Sequence, residues 1–316
     1  MEVTLSQTAE LLKKAQSIVL TAHIHPDGDA LGSMLGLYHY LISEGKQVEM
    51  LLDDELPLNY CFLPGMDKIV KPGENEITAD LLVILDASDV ERVLKVREYV
   101  HAPSLNIDHH ISNTKFADYL YLDAKAAATA EVLCDLFAYN QALVSTDMAN
   151  CLYTGIATDC GFFRYANTSP KTLRHAANLL EAGVKPHLIS EQLETRSLNS
   201  LRTLTTVLDT LELFAEGKIA AITVEASILK ENEELAEGMI NYPRNIEGVD
   251  VAIMFKEVSD ELVRVSLRSR GVDVSRLALT FGGGGHIRAA GCSIAGTIAE
   301  AKKKVIAAAS ALLQEG

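Results

Sequence analysis

The chain is 316 residues long, beyond the size at which a single hydrophobic core usually stops growing, so two domains are expected. A composition of 48% hydrophobic and 22% charged residues excludes a mostly disordered, collagen-like or coiled-coil protein. With 28 Lys and Arg against 43 Asp and Glu, the formal net charge of −15 argues against nonspecific attraction to long nucleic acid or an anionic membrane, and any anionic ligand needs local positive charge.

Short runs rich in Ile, Val and Leu at 18–21, 48–52, 81–85 and 104–107 alternate with helix-like stretches at 30–43, 126–139, 148–158 and 170–182. Pro170 after Ser169 is a helix-start signal. The alternation predicts an α/β domain with a parallel sheet and crossover helices. Around 183–200 the rhythm breaks. A helix over 197–210 then leads into strands at 219–224, 249–255 and 262–269 and a final helix over 298–313. The boundary is expected near residue 190, giving a catalytic domain at 1–190 and a smaller α/β domain at 191–316. Five scattered cysteines without a Cys-x-x-Cys pair point to a reducing, cytoplasmic compartment. The N-terminus lacks the basic-then-apolar order of a signal peptide, and no stretch reaches the roughly 20 apolar residues of a membrane span.

Acids and histidines gather where strands are predicted to end. TAHIHPDGDALGS carries His23, His25, Asp27 and Asp29 directly after the first strand. Asp86 ends LLVILD, and Asp108-His109-His110 ends SLNI. In open α/β sheets ligands bind at the carboxyl ends of strands, and mixed imidazole and carboxylate donors suit manganese or magnesium. The alternative for the first cluster is an Asx-type turn with Asp29 as helix N-cap. Asp159, in TGIATDCGFFRY, falls at a predicted helix C-terminus, where the macrodipole disfavours a carboxylate and a cation would compensate it.

These segments, HxHPDGDALGS, LLVILDASD, IDHH and TGIATD, resemble in order and spacing the four motifs of the DHH phosphoesterase family. The resemblance implies a two-metal centre, usually manganese with magnesium as the other candidate. One ion would be held by His23, Asp27 and Asp86, the other by Asp29, Asp86, His109 and Asp159, with Asp86 bridging. His110 would then lie near the transferring phosphoryl group, to donate a hydrogen bond or assist the leaving oxygen, and Asp108 would orient a ligand histidine. His25 is read as an exposed turn residue.

The second domain carries FGGGGHIRAAG, residues 281–291, inside a stretch from Arg264 to Arg288 with five arginines and one acid. Glycine runs let backbone amides approach an anion, and a helix or turn starting beside them adds positive potential; a flexible turn is the alternative. VSLRSRGVDVSRLALTFGGGGHIRAAG resembles the DHH-associated C-terminal domain in its nanoRNase and pAp-phosphatase form. That resemblance implies substrate contacts from Arg268, Gly284, Gly285, His286 and Arg288. Arg164 and Asn113 are further candidates, weighed against a solvated surface arginine and a simple turn residue.

The expected activity is metal-dependent hydrolysis of short single-stranded RNA, about two to five nucleotides, to mononucleotides, with 3′-phosphoadenosine 5′-phosphate (pAp) as another substrate. A limited positive island favours short substrates over long duplexes. Competing expectations are a cyclic or linear dinucleotide (c-di-AMP or pApA) phosphodiesterase, a DHH-type inorganic pyrophosphatase and a catalytically dead nucleotide-binding regulator. The resemblance also makes a homodimer through the first domain an option. Asp89 and Arg92 read as a capped helix start, Cys160 as a small buried residue, and GSMLGLYHYL as a helix whose glycines permit close packing.

Overall fold

In this computed structural model, which describes residues 1–229 and 236–314, the chain divides into two units, Met1–Thr195 and Arg196–Gly316. The first contains α1 (Leu5–Lys14), β1 (Ser17–Ala22), α2 (Gly28–Ser43), β2 (Gln47–Leu51), β3 (Ile69–Val70), β4 (Ile77–Thr78), β5 (Leu81–Leu85), α3 (Leu94–Tyr99), β6 (Val100–His101), β7 (Ser104–Asp108), β8 (Tyr119–Leu122), α4 (Thr129–Tyr139), α5 (Thr146–Asp159), α6 (Pro170–Glu181) and α7 (Pro186–Glu194). β5 and β7 are buried along their whole length, because helices cover both faces of the sheet. Alternate residues serve the two sides: Leu81, Val83 and Leu85 join the core under α2, α4 and α5, while Leu82 and Ile84 join Val93 and Val96 opposite.

The main sheet is parallel in the order β3-β2-β1-β5-β7-β8. The chain leaves β1 towards one edge and resumes at β5 on its other side. The switch in direction therefore lies between β1 and β5, the place where such sheets bind ligands. β8 was not anticipated; only one of its four residues is buried, so it lacks the continuous apolar run of its neighbours.

α2 and α5 pack closely, as expected from the glycines of α2. A Cβ on Gly32 would lie 2.4 Å from the Cys151 carbonyl oxygen, and one on Gly36 would meet Leu152 at 2.8 Å.

The second unit contains α8 (Leu198–Leu208), β9 (Glu212–Phe214), β10 (Ile219–Val224), α9 (Ala226–Leu229), α10 (Ala236–Met239), α11 (Asn241–Arg244), β11 (Val251–Ser259), β12 (Leu262–Ser269), α12 (Val274–Leu279), β13 (Gly284–His286), β14 (Ala289–Ala295) and α13 (Ile298–Gln314). Its mixed sheet runs β13-β14-β12-β11-β10-β9, with only β10 and β11 parallel. β13 and β14 were missed because glycine and alanine are poor strand formers. Among the described residues no helix is long and apolar enough to cross a membrane.

The Gly32 contact generates a test. Replacing a helical glycine by alanine gains about 1 kcal/mol of helix propensity, but a methyl group 2.4 Å from a backbone oxygen forces the helices apart. Gly32→Ala should therefore cost a net of about 1–3 kcal/mol, read as a lower urea midpoint with an unchanged slope. An unchanged midpoint would mean that α2 and α5 are not packed this tightly.

Candidate metal centre

Four chain segments deliver ionisable groups to the carboxyl ends of β1, β5 and β7. His23 follows β1 and is 3% exposed. Its Nδ1 lies 2.8 Å from the Ile24 carbonyl, and the tautomer that donates there leaves a lone pair on Nε2, which is 3.4 Å from Asp86 Oδ2 and 3.9 Å from Asp27 Oδ2. Burial pushes the His23 pKa down and favours the neutral imidazole that a cation requires.

Asp27, rather than Asp29, is the N-cap of α2. Its Oδ1 accepts from the amides of Asp29 and Ala30 at 3.0 Å each, and its Oδ2 faces His23. Asp29 lies in the first turn, 1% exposed, where it accepts from Thr129 N at 2.6 Å and Ala130 N at 2.9 Å. Asp29 thus caps α4 from another helix, a role its own sequence neighbourhood does not reveal.

Asp86 is 2% exposed and takes a left-handed backbone conformation, φ 57°. Thr129 Oγ1 donates to its Oδ1 at 2.9 Å, and His109 Nε2 lies 3.5 Å from the same oxygen. His109 Nε2 is also 3.9 Å from Asp29 and 3.7 Å from Asp159, while its Nδ1 donates to the Ala126 carbonyl at 3.3 Å. Asp159 is the last residue of α5, as the sequence suggested.

Three sets have ligand atoms within 4.8 Å of one another: His23, Asp27 and Asp86; Asp86, His109 and His110; and Asp29, His109 and Asp159. Burial, reinforced by neighbouring carboxylates, raises the pKa of Asp29 and Asp86 and pushes Asp159 up to about 8. Carboxylates so placed need countercharge to ionise together. The donor chemistry, imidazole nitrogens with carboxylate oxygens, fits a borderline-to-hard divalent cation.

Asp108 is fully buried, and its Oδ1 accepts from the His109 and His110 amides and from His110 Nδ1 at 2.8 Å. The ring it orients is therefore that of His110, not the ligand candidate His109. Burial pushes Asp108 up, but hydrogen bonds from His110 and Asn113 outweigh this and bring it below the ordinary carboxylate range. The same Asp108 contact raises the pKa of His110.

Asn113, expected to touch substrate, is buried. Its Nδ2 faces Asp108 Oδ2 at 2.6 Å, Asn106 Oδ1 at 2.7 Å and the Ala87 carbonyl at 3.3 Å, and its Oδ1 accepts from Lys115 N. It props Asp108 and is not offered to a ligand. Arg164 is exposed, with Nε donating to the Gly161 carbonyl at 2.7 Å. His25 is exposed and pairs with Asp54 at 3.0 Å.

Sequence reasoning assigned Arg92 a structural part. Asp89 does cap the short turn Val90–Arg92, but the Arg92 guanidinium also reaches within 2.9 Å of His23 Nδ1 and lines a cavity of 350 Å³ with Ile24, His25, Asp54 and Lys95. Tyr60 was missed; its phenol lies near Asp27 and the Gly28 amide, and burial pushes its pKa up to about 12. Cys160 is fully buried and burial raises its thiol pKa, which leaves it unsuited to nucleophilic work.

In the second unit the glycine run follows the C-terminal end of α12, so of the helix or turn start expected beside it the structure has a turn, at 281–282. Gly284–His286 then form an edge strand, with Gly284 opposite Gly291, Gly285 opposite Ala290 and His286 opposite Ala289. A Cβ on Gly285 would lie 2.5 Å from Ala290 Cα, and one on Gly283 2.1 Å from the Gly291 carbonyl oxygen, whereas Gly284 has open space. Ala289 pairs in turn with Arg268, so Arg268, Ala289 and His286 form one cross-strand row on one face. Arg268 Nη1 donates to the Leu267 carbonyl at 3.0 Å. Arg288 lies exposed between β13 and β14.

Comparison with known proteins agrees with this arrangement. Residues 17–156 match the description "DHH family, N-terminal domain", and residues 219–315 match the "DHHA1 domain". The bifunctional oligoribonuclease and PAP phosphatase NrnA of Thermus thermophilus is 37% identical over 91% of this chain and 87% of its own length. The Bacillus subtilis protein of the same name is 28% identical over 88% of this chain and 89% of its own length. A crystal structure of an exopolyphosphatase-related protein from Bacteroides fragilis superposes with a TM-score of 0.88 at 27% identity, covering 98% of this chain and 97% of that one. A DHH N-terminal domain followed by a DHHA1 domain, with close relatives over nearly the full length, makes this chain a member of the DHH phosphoesterase family.

Proposed function

We propose that this chain is a manganese-dependent phosphoesterase that cleaves oligoribonucleotides of about two to five nucleotides to mononucleotides and removes phosphate from pAp. The observation that carries the reading is the convergence of His23, Asp27, Asp29, Asp86, His109 and Asp159 around one buried carboxylate, in a chain whose full-length relatives bear oligoribonuclease and PAP phosphatase names. Two divalent cations held there would supply water activation and neutralisation of phosphate oxygens.

His23, Asp27 and Asp86 would hold one cation; Asp29, Asp86, His109 and Asp159 the other. His110, whose Nδ1 is engaged by Asp108, keeps Nε2 for a proton to the leaving oxygen. Asp108 holds that ring and favours its protonated form, and Asn113 fixes Asp108. In the second unit Arg268, Gly284, Gly285, His286 and Arg288 are our candidates for substrate contact. The support is a run of five arginines with one acid in an acidic chain, and an exposed strand edge whose backbone is open at Gly284. Arg164 is a further candidate.

Three outcomes check this reading. With manganese, labelled RNAs of two to about twenty nucleotides should be hydrolysed fastest at the short end, alongside pAp, and slower than either for pyrophosphate. Preference for the longest RNA would sink the substrate assignment, and preference for c-di-AMP or pyrophosphate would replace it. His110→Ala should lower kcat by about 10²–10⁴-fold while the bound manganese per chain stays at the wild-type value; loss of manganese instead would make His110 a ligand.

The third outcome concerns pH. Because the folded protein holds Asp159 at about 8, above its ordinary 3.8, the neutral form stabilises the metal-free fold, and that contribution fades as pH rises towards 8. The melting temperature of the chelator-treated protein should fall between pH 6 and 8, and manganese should raise it more at pH 8 than at pH 6. An equal rise at both would contradict the crowding of carboxylates described above.

A further inference from the structure

The turn at residues 126–130 hydrogen-bonds three of the four members of one of the two ligand sets and is linked to the fourth, Asp159, through Asn167. The Ala126 carbonyl accepts from His109, the amides of Thr129 and Ala130 donate to Asp29, and Thr129 Oγ1 donates to Asp86. Asn167 Nδ2 ties the Ala127 carbonyl at 3.1 Å to the Asp159 carbonyl at 3.3 Å. Four of the five residues in this turn are alanine, and Ala128, at the N-cap of α4, makes no side-chain cap. The turn's own side chains therefore do little to fix it.

The hold comes from Glu131, 1% exposed in the first turn of α4. A single carboxylate oxygen, Oε2, accepts from Ala127 N at 3.0 Å and from Thr172 Oγ1 at 2.8 Å. Thr172 is itself set by the capping box it forms with Ser169 at the start of α6. Glu131 thus fastens an otherwise featureless turn to a second helix, and the turn carries hydrogen bonds to Asp29, Asp86 and His109.

We propose that Glu131 is a positioning residue for the Asp29, Asp86, His109 and Asp159 half of the centre, selectively tuning its affinity for a divalent cation. The inference rests on the metal-centre reading given above. Removing the carboxylate leaves two buried donors, Ala127 N–H and the Thr172 hydroxyl, without their acceptor, and frees the turn to shift. His23 and Asp27 have no hydrogen bond to that turn among those described, and the shared Asp86 meets it through Oδ1 while its Oδ2 faces His23, so their half should be affected less.

The test counts and titrates manganese by calorimetry and electron paramagnetic resonance on the full-length protein. Wild type should bind two ions per chain. Glu131→Ala should weaken one ion about 10–100-fold and leave the other within about threefold of wild type. Glu131→Gln, which retains an oxygen for both donors, should stay within about threefold of wild type. Thr172→Val removes one of the two donors with little change of shape and should weaken the same ion to a smaller degree; it decides the matter should the alanine variant not fold. Both affinities unchanged, or both reduced in parallel in Glu131→Ala or in Thr172→Val, would overturn the proposal. Fewer than two ions on the wild-type protein would instead overturn the two-cation reading on which it rests.

Discussion

Concentrated negative charge at the end of one sheet is the constraint around which the first unit is arranged. Asp29 and Asp86 are almost fully shielded from water, and Asp27, Asp108 and Asp159 stand close by. Isolated carboxylates could not remain ionised in such a place. The fold lowers the cost with oriented donors: the amino end of α4 faces Asp29, the Thr129 hydroxyl meets Asp86, and the amides and ring of the two histidines meet Asp108. Asp108 is the carboxylate for which these donors suffice, and its pKa falls. For Asp29, Asp86 and Asp159 they do not suffice, and all three are raised. That division separates a carboxylate that supports the site from those able to take a cation.

The second unit meets the opposite requirement. In an acidic chain, it places Arg268 and Arg288 beside a strand edge on which two of three residues are glycine. Gly283 and Gly285 are needed because at those two positions the chain runs too close to β14 for a Cβ, while Gly284 leaves the backbone bare towards the open side. An edge strand presents unpaired backbone groups in a row, and here no helix start lies beside the glycines.

Much of this was legible in the chain itself. Strands covered on both faces show as short, largely apolar runs, unbroken in β5, and an acid or histidine at the end of such a run stands at the ligand-binding end of the sheet, as at β1, β5 and β7. Roles set by distant neighbours were not legible. Asn113 reads as a candidate substrate contact, or else a turn residue, because nothing near it shows that Asn106 and Asp108 will close around its amide. Arg92 reads as part of a cap because its sequence neighbour Asp89 does cap that turn, while its guanidinium reaches His23, 69 residues earlier. Asp27 and Asp29 could not be told apart as caps, since which of them enters the buried turn depends on α4, a hundred residues onward. In the second unit, β13 and β14 were hidden because glycine and alanine carry no strand signature; pairing of β14 with β12, and of β13 with β14, creates them.

The strand order explains why Asp86 serves two histidines. β5 lies between β1 and β7, so Asp86 emerges between His23 and His109, which follow the flanking strands. Adjacent strands are spaced by about 4.8 Å, placing the backbones of the outer two about 10 Å apart. Side chains converging from both sides can meet a carboxylate from the middle strand more readily than they can share one ion directly. The left-handed conformation at Asp86 belongs to the same geometry. Its amide still donates to Ile107 in the ladder, but φ 57° ends the strand abruptly, in a region where aspartate is tolerated better than most residues and β-branched ones are poorly accommodated. The next two residues are tied to the loop after β7, Ala87 through Asn113 and Ser88 through Thr114. The conformation is thus held from outside the strand, leaving Oδ2 towards His23 and Oδ1 towards His109. A switch point beside β5 thus lets one carboxylate face a histidine from each flanking strand, as the proposed pair of cation sites requires.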